Sequence, residues 1–217
     1  NQQFGRRPFC LPGNIQNAQG FVGNFIAHFF GAGLMEELLK AIPIFVALGI
    51  GRILSSPWRE RIGVWEPLDG ILLGAASAVG FTLVETLVQY VPNIVRQAGA
   101  QGAYFGLALL IPRIIGSVAG HMAYSGYFGY FIGLSVLKPS KSWLLISVGY
   151  LTSSLLHGLW NAMGSVTDNP WIYVFLQSTT GILAFVFLMA AILKARQLSP
   201  NRSSNFATQM RFPNSNP

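Results

Sequence analysis

The chain has 217 residues, of which 52% are hydrophobic and only 10% are charged. A soluble domain carries about 25% charged residues, so this composition excludes an ordinary water-soluble domain. The formal net charge of +7 comes from basic residues that mostly flank apolar runs, which indicates membrane topology rather than nucleic-acid binding. Cys10 is the only cysteine, which excludes an intrachain disulfide and a cysteine-based metal site.

Residues 1–19 are polar and predict an N-terminal segment outside the apolar part of the chain. Five apolar runs follow, each long enough to cross a bilayer as about 20 residues of helix. They cover residues 21–50, 68–92, 113–137, 142–164 and 170–194. Pro112 predicts a helix start before the third run, and residues 93–111 predict a surface or re-entrant segment. We therefore expect an all-α, polytopic transmembrane helix bundle of at least five spans over residues 20–194, followed by a disordered tail at 195–217.

The basic residues predict the orientation of this bundle. With five spans, one side holds Arg52, Arg59, Arg61, Lys138, Lys141, Lys194, Arg196, Arg202 and Arg211. The other side holds Arg6, Arg7, Arg96 and Arg113. Because cytoplasmic loops carry the excess of Lys and Arg, the pattern predicts a cytoplasmic C-terminus.

Ionisable side chains inside apolar runs are costly and usually functional. The first four runs contain Glu36, Glu37, Lys40, Glu85, His121 and His157, and Asn161 lies one turn after the last. By their positions in the runs, Glu85, His121 and His157 fall roughly 6–8 Å from the bilayer midplane, on the exterior side. A shared depth on several helices predicts one common site.

The residue types at this level fit peptide hydrolysis. A carboxylate can deprotonate water, a histidine can protonate the leaving amine, and an asparagine amide can donate to an oxyanion. Two histidines and one glutamate also form a ligand set for zinc or a similar divalent metal. Metal-dependent and metal-free hydrolysis both remain open at this point. A non-catalytic membrane binding protein or chaperone and a proton- or metal-coupled transporter are the alternatives, although no internal repeat supports a transporter.

Four short segments resemble the motifs of a known family. Residues 33–40 (GLMEELLK) are similar to its E-E-x-x-K motif, and residues 80–85 (GFTLVE) are similar to its F-x-x-x-E element. Residues 121–125 (HMAYS) and 157–161 (HGLWN) resemble its third and fourth motifs. The four segments occur in the order found in the PrsW family of intramembrane proteases, which is related to the CAAX prenyl endopeptidases. Thr86 departs from the pattern, because an Asn often follows this Glu in the family.

The resemblance implies an intramembrane endopeptidase that cleaves single-pass membrane proteins, such as anti-sigma factors. It implies that Glu36 or Glu37 activates water and that Asn161 assists the oxyanion. It also implies that Glu85, His121 and His157 bind a metal or polarise the scissile carbonyl. Lys40 and Ser125 would support these groups.

Other polar residues and the glycines of the runs predict structural roles. His28, near the exterior end of the first run, is typical of an interfacial histidine. Ser125 is expected to hydrogen-bond or pack rather than act as a nucleophile, and Arg113 is expected to anchor at the interface. Gly70/Gly74, Gly116/Gly120 and Gly129/Gly133 predict small-residue packing between helices.

Overall fold

The computed structural model describes Ala18 and residues 20–199, with the backbone alone for residues 97–119. This part of the chain folds into helices and contains no strand. The α-helices are α1 (Gly20–His28), α2 (Met35–Ile53), α3 (Trp58–Ile62), α4 (Pro67–Glu85), α5 (Val91–Leu137), α6 (Ser142–Ala162) and α7 (Pro170–Leu198). Segments 1–17 and 200–217, which include most of the predicted polar termini, lie outside the described residues.

Side-chain caps mark the start of two long helices. The Asp69 carboxylate accepts hydrogen bonds from the backbone N–H groups of Trp65 and Glu66, at 2.9 and 3.0 Å, and so closes the first turn of α4. At α7, the Asn169 side chain accepts from the N–H groups of Trp171 and Ile172, at 3.0 and 3.3 Å. Such caps satisfy backbone donors that have no partner inside the helix.

Two π-helical segments interrupt the regular helices next to glutamates. One, Phe29–Leu34, joins α1 to α2 just before Glu36, and the other, Thr86–Tyr90, follows Glu85. A π-helical turn leaves a backbone carbonyl without its usual partner, and such turns are frequent at functional sites. Here the Tyr150 hydroxyl of α6 donates to the Leu34 carbonyl at 2.8 Å, which fixes the start of α2 against α6.

Helices α4 and α5 touch through their backbones. A Cβ atom at Gly70 would collide with the Gly129 carbonyl, and one at Gly129 would collide with the Gly70 carbonyl. A Cβ at Gly74 would likewise collide with the carbonyl of Ser125. Glycine is required at these crossings because no other residue lets two helix backbones come so close. A Cβ at Gly133 would collide with the backbone of Glu66 and Pro67, so the predicted small-residue packing is present for Gly70, Gly74, Gly129 and Gly133.

The bundle encloses buried polar side chains beside its hydrophobic core and has an apolar outer surface. Glu37, Lys40 and His157 are fully or almost fully buried, whereas Trp143 and Trp171 are 83% and 81% exposed. Trp58–Arg96 and Pro170–Leu198 are long and apolar enough to cross a membrane, with mean hydropathies of 1.9 and 2.0. Only 28% and 22% of the most apolar stretch of each segment is buried, so most of the surface of both segments faces outward. The chain is an all-α, polytopic membrane protein.

The third predicted span differs from the structure. Helix α5 runs without interruption through Val91–Leu137, so Pro112 lies inside a helix rather than at its start, and residues 93–111 belong to the same helix. Proline is tolerated inside membrane helices because neighbouring groups satisfy the carbonyl that it frees. At 1.5 Å per residue, the 47 residues of α5 extend over roughly 70 Å, so the helix is longer than a bilayer is thick. The count of five spans stays a prediction.

Candidate active site

The carboxylate of Glu37 is the centre of a buried polar network. One of its oxygens, Oε1, accepts from Lys40 Nζ at 2.8 Å and from His157 Nδ1 at 2.9 Å. The other, Oε2, accepts from Ser125 Oγ at 2.7 Å and from Ser153 Oγ at 3.0 Å. A carboxylate offers about four lone-pair positions, and these four donors occupy them. Glu37 therefore ties α2 to α5 and α6 and has no free position for water.

Lys40 connects Glu37 to the first histidine. Its Nζ lies 2.8 Å from His121 Nδ1 and 3.4 Å from Glu36 Oε2. An ammonium group only donates, so His121 Nδ1 is the acceptor and the proton of the neutral ring is on Nε2. The aromatic ring of Phe81 covers the ammonium, with its centroid 4.7 Å from Nζ. The residue at the start of the F-x-x-x-E element thus shields Lys40.

His157 and Glu36 face each other without a direct hydrogen bond. His157 donates from Nδ1 to Glu37, which leaves the lone pair of the neutral ring on Nε2. That nitrogen lies 3.7 Å from Glu36 Oε2. Two lone-pair atoms at this separation repel each other unless a proton, a water or a cation lies between them. Unlike Glu37, Glu36 is partly open, with 22% of its side chain exposed.

The donor set fits a divalent metal. One ligand atom each from Glu36, His121 and His157 lies within 4.8 Å of the other two. The 3.7 Å between His157 Nε2 and Glu36 Oε2 is within the reach of two zinc–ligand bonds of about 2.0–2.2 Å. The hydrogen bond from His157 to Glu37 is the kind that orients a metal-binding histidine. Lys40 opposes a metal in this arrangement, because its ammonium occupies the Nδ1 lone pair of His121.

Glu85 is not part of this group among the described residues, where Glu36 is the carboxylate beside the two histidines. The metal-binding role of Glu85 stays a prediction. Glu85 lies at the end of α4, one turn beyond Phe81, which is the residue of that motif in contact with Lys40. Asn161 lies one turn after His157 and makes no hydrogen bond to a described side chain. Ser125, expected to be a hydrogen-bonding residue, donates to Glu37.

Two residues of the site were missed by the sequence analysis. His28 lies close enough to Glu36 and His157 to interact electrostatically with both, although it was interpreted as an interfacial residue. The spacing of eight residues from His28 to Glu36 places both on one helix face and was an available signal. Tyr124 stacks on His157, with ring centroids 5.2 Å apart and planes 17° apart. Its position three residues after His121 was the corresponding signal.

Fold and site together define a polytopic membrane protein whose buried Glu–Lys–His cluster is shared by α2, α5 and α6. The model of the PrsW family of intramembrane metalloproteases matches residues 9–192. The chain belongs to this family, as the four motifs predict. No solved structure matches it.

Curated relatives agree with this family. The chain is 29% identical over 127 residues to the protease PrsW of Shouchella clausii (strain KSM-K16). The aligned region covers 58% of this chain and 48% of that protein. It is 26% identical over 157 residues to protease PrsW of Bacillus subtilis (strain 168), covering 71% and 61% respectively. With protease PrsW of Geobacillus kaustophilus (strain HTA426) the identity is 22% over 181 residues, covering 83% and 68%. The chain thus spans about half to two thirds of the length of these relatives.

Proposed function

We propose that the protein is an intramembrane endopeptidase that hydrolyses a peptide bond of a membrane-embedded protein. The observation that carries the proposal is the partly open carboxylate of Glu36, which faces His121 and His157 inside a bundle with an apolar surface. A carboxylate and two histidines at this separation can activate water and protonate a leaving amine. Membership of the family supports the same activity.

The two glutamates have different tasks in this proposal. Glu37, whose lone pairs are all taken, holds His157 in one tautomer and keeps Lys40 in place. Glu36 carries the reactive carboxylate. Without a metal, Glu36 accepts a proton from the attacking water, and a histidine donates one to the leaving nitrogen. Asn161, which has no other hydrogen-bonding partner among the described side chains, is our proposed donor to the carbonyl oxygen.

We further propose that zinc or a similar divalent ion binds at this site. Glu36, His121 and His157 would hold it, with Glu37 orienting His157. Bound there, the ion would supply Lewis acidity to polarise the carbonyl and to activate water. The contact between Lys40 Nζ and His121 Nδ1 would have to break for that nitrogen to serve as a ligand.

The substrate class in this proposal is a single-pass membrane protein resembling an anti-sigma factor, cleaved in the exterior half of the bilayer. Comparison of membrane peptides from host cells that express the wild type or Glu36→Gln tests it. Fragments with new termini inside single-pass transmembrane segments should accumulate with the wild type alone. Glu60→Gln serves as the control, because Glu60 lies in α3 and pairs with Arg59, away from the cluster. Identical peptides from all three strains would contradict the proposal.

The metal content of the purified protein distinguishes metal-dependent from metal-free hydrolysis. Purified wild-type protein should contain a near-stoichiometric divalent ion, and His157→Ala should lose it. Chelation should abolish cleavage of the identified substrate, and added metal should restore it. Full cleavage by a preparation verified to be free of metal would exclude the metal and leave a glutamate-dependent protease.

A further inference from the structure

The hydroxyl of Tyr124 is a buried donor without an acceptor. The residue is 1% exposed, and its Oη atom has no hydrogen-bonding partner among the described residues. A buried hydroxyl without a partner is costly, and native proteins rarely keep one without a reason. In a site that binds and releases a ligand, the reason is that the ligand supplies the missing acceptor.

The ring of Tyr124 lies beside both histidines. It stacks on His157 at a centroid distance of 5.2 Å and meets the edge of His121 at 6.0 Å. It is also close enough to Glu36 and Glu37 to interact electrostatically with both carboxylates. The ring is thus held against the cluster by packing, and no described residue accepts a hydrogen bond from its hydroxyl.

The hydroxyl lies against Gly120, one turn earlier on α5. A Cβ atom at Gly120 would be 2.6 Å from Tyr124 Oη, so only glycine leaves room for the hydroxyl. Gly120 also lines an apolar groove of about 470 Å³ between α5, α6 and α7, with Trp160 and Gly181 among the other lining residues. Ile182 and Val186 of α7, which line the same groove, are 65% and 58% exposed, so it opens to the outer surface of the bundle.

We propose that Tyr124 is a catalytic residue whose hydroxyl donates a hydrogen bond to the carbonyl oxygen of the scissile peptide bond. This inference rests on the proposed proteolytic function. Water attacks the carbonyl carbon and passes one proton to the Glu36 carboxylate. The π electrons of the carbonyl move to its oxygen, which Tyr124 stabilises while the phenol keeps its own proton. When the C–N bond breaks, a histidine of the cluster gives a proton to the nitrogen and recovers one from Glu36, which holds the proton taken from water. The products are one carboxylic acid and one amine, and Glu36 is again a carboxylate.

Tyr124→Phe separates this role from a structural one. The variant keeps the ring that stacks on His157 and removes only the unpaired hydroxyl. Loss of one oxyanion donor should lower kcat about 100-fold or more, with KM nearly unchanged. The melting temperature should stay the same or rise, because removing an unpaired buried hydroxyl leaves no group unsatisfied. The metal content of the variant should equal that of the wild type.

Tyr127→Phe is the matched control on the same helix, since that ring packs on Phe131 and Phe187. It should keep wild-type kcat. A wild-type kcat for Tyr124→Phe would overturn the inference, as would a fall in kcat that is accompanied by an equal loss of thermal stability. If the wild type itself cleaves nothing, the proposed function fails instead, so the two failures are distinguishable.

Gly120→Ala provides an independent check of where the hydroxyl lies. Its methyl group should collide with Tyr124 Oη and lower the melting temperature. In the Tyr124→Phe background the same change should cost less, because the colliding atom is gone, while kcat stays low. An equal effect of Gly120→Ala in both backgrounds would contradict the assigned position of the hydroxyl.

Discussion

Glu36 and Glu37 are neighbours in the sequence, but their side chains lie in different environments. Both reach Lys40, because residues three and four positions apart on a helix share a face. Glu37 is fully buried and bound by four donors, whereas Glu36 is partly open and faces the histidines. The sequence pattern does not distinguish the two, whereas their environments in the structure support the proposal that Glu37 is a supporting residue and Glu36 the reactive one.

Glu37→Gln should destabilise the protein strongly. The buried Lys40 ammonium would lose its carboxylate, a change that typically costs about 3–5 kcal/mol. Thermal unfolding in detergent should show a large loss for Glu37→Gln and a smaller one for the double variant Glu37→Gln/Lys40→Met, which removes both charges. Equal losses for the single and double variants would mean that the ion pair does not determine stability.

The serine donors to Glu37 should matter through that carboxylate. Ser125→Ala removes one of the two hydroxyl bonds to Oε2 and should cost about 1–3 kcal/mol of stability. Ser135, also buried on α5, donates only to the carbonyl of Ile132 in its own helix. Ser135→Ala should therefore have almost no effect on unfolding by chemical denaturant. If both alanine variants behave alike, Ser125 is not part of the network.

The sequence predicted the residue types of the site, but it predicted only some of the contacts between them. Acids and histidines stand out inside apolar runs, so Glu36 and His157 were found by composition alone. Glu85 was selected by the same criterion, and only the tertiary packing shows that Glu36 is the carboxylate beside the histidines. His28 was missed because a polar ring near the end of a membrane span is ordinary at the interface. Tyr124 was missed because a tyrosine inside an apolar run carries no charge that would set it apart as a costly group.

At the scale of the elements, the glycine crossing of α4 and α5 positions the site. Gly129→Ala should push α5 away from α4, because its methyl group would collide with the Gly70 carbonyl. Melting temperature and cleavage should both fall. Gly80→Ala, on the other side of α4, has no atom within 4 Å of the new methyl group and should be neutral or stabilising by about 0.5–1 kcal/mol. Similar behaviour of the two variants would exclude close backbone contact.

The helices themselves were predictable where long apolar runs coincide with single helices. The run at 142–164 corresponds to α6, Ser142–Ala162, and the run at 170–194 to α7, Pro170–Leu198. The continuous α5 was not predictable, because a proline after a polar segment is normally a start signal and the compensation by neighbouring helices is not local. The π-helical segments were also not predictable, since contacts from distant residues, such as the hydrogen bond from Tyr150 of α6 to the Leu34 carbonyl, are not visible in the local sequence.

At the scale of the whole molecule, the orientation in the membrane remains a prediction. In a Cys10→Ser background, Ser140→Cys and Asp168→Cys place single thiols in the exposed turns at opposite ends of α6. With a cytoplasmic C-terminus, a membrane-impermeant thiol reagent should label Asp168→Cys in intact cells and spare Ser140→Cys. The reverse labelling pattern would invert the topology and move the site to the cytoplasmic half.

The position of His157 along α6 determines what kind of fragments a cut at this level leaves. Trp143, near the other end of the helix, precedes His157 by 14 residues, which corresponds to about 21 Å of helix rise. With Trp143 taken as one boundary of a hydrocarbon layer about 30 Å thick, His157 lies roughly 9 Å from the other boundary. Two or three extended residues fill this depth, at about 3.3 Å each. In the proposed reaction the shorter remnant would be too small to anchor a protein, so one fragment would leave the bilayer while the other would keep most of its membrane segment.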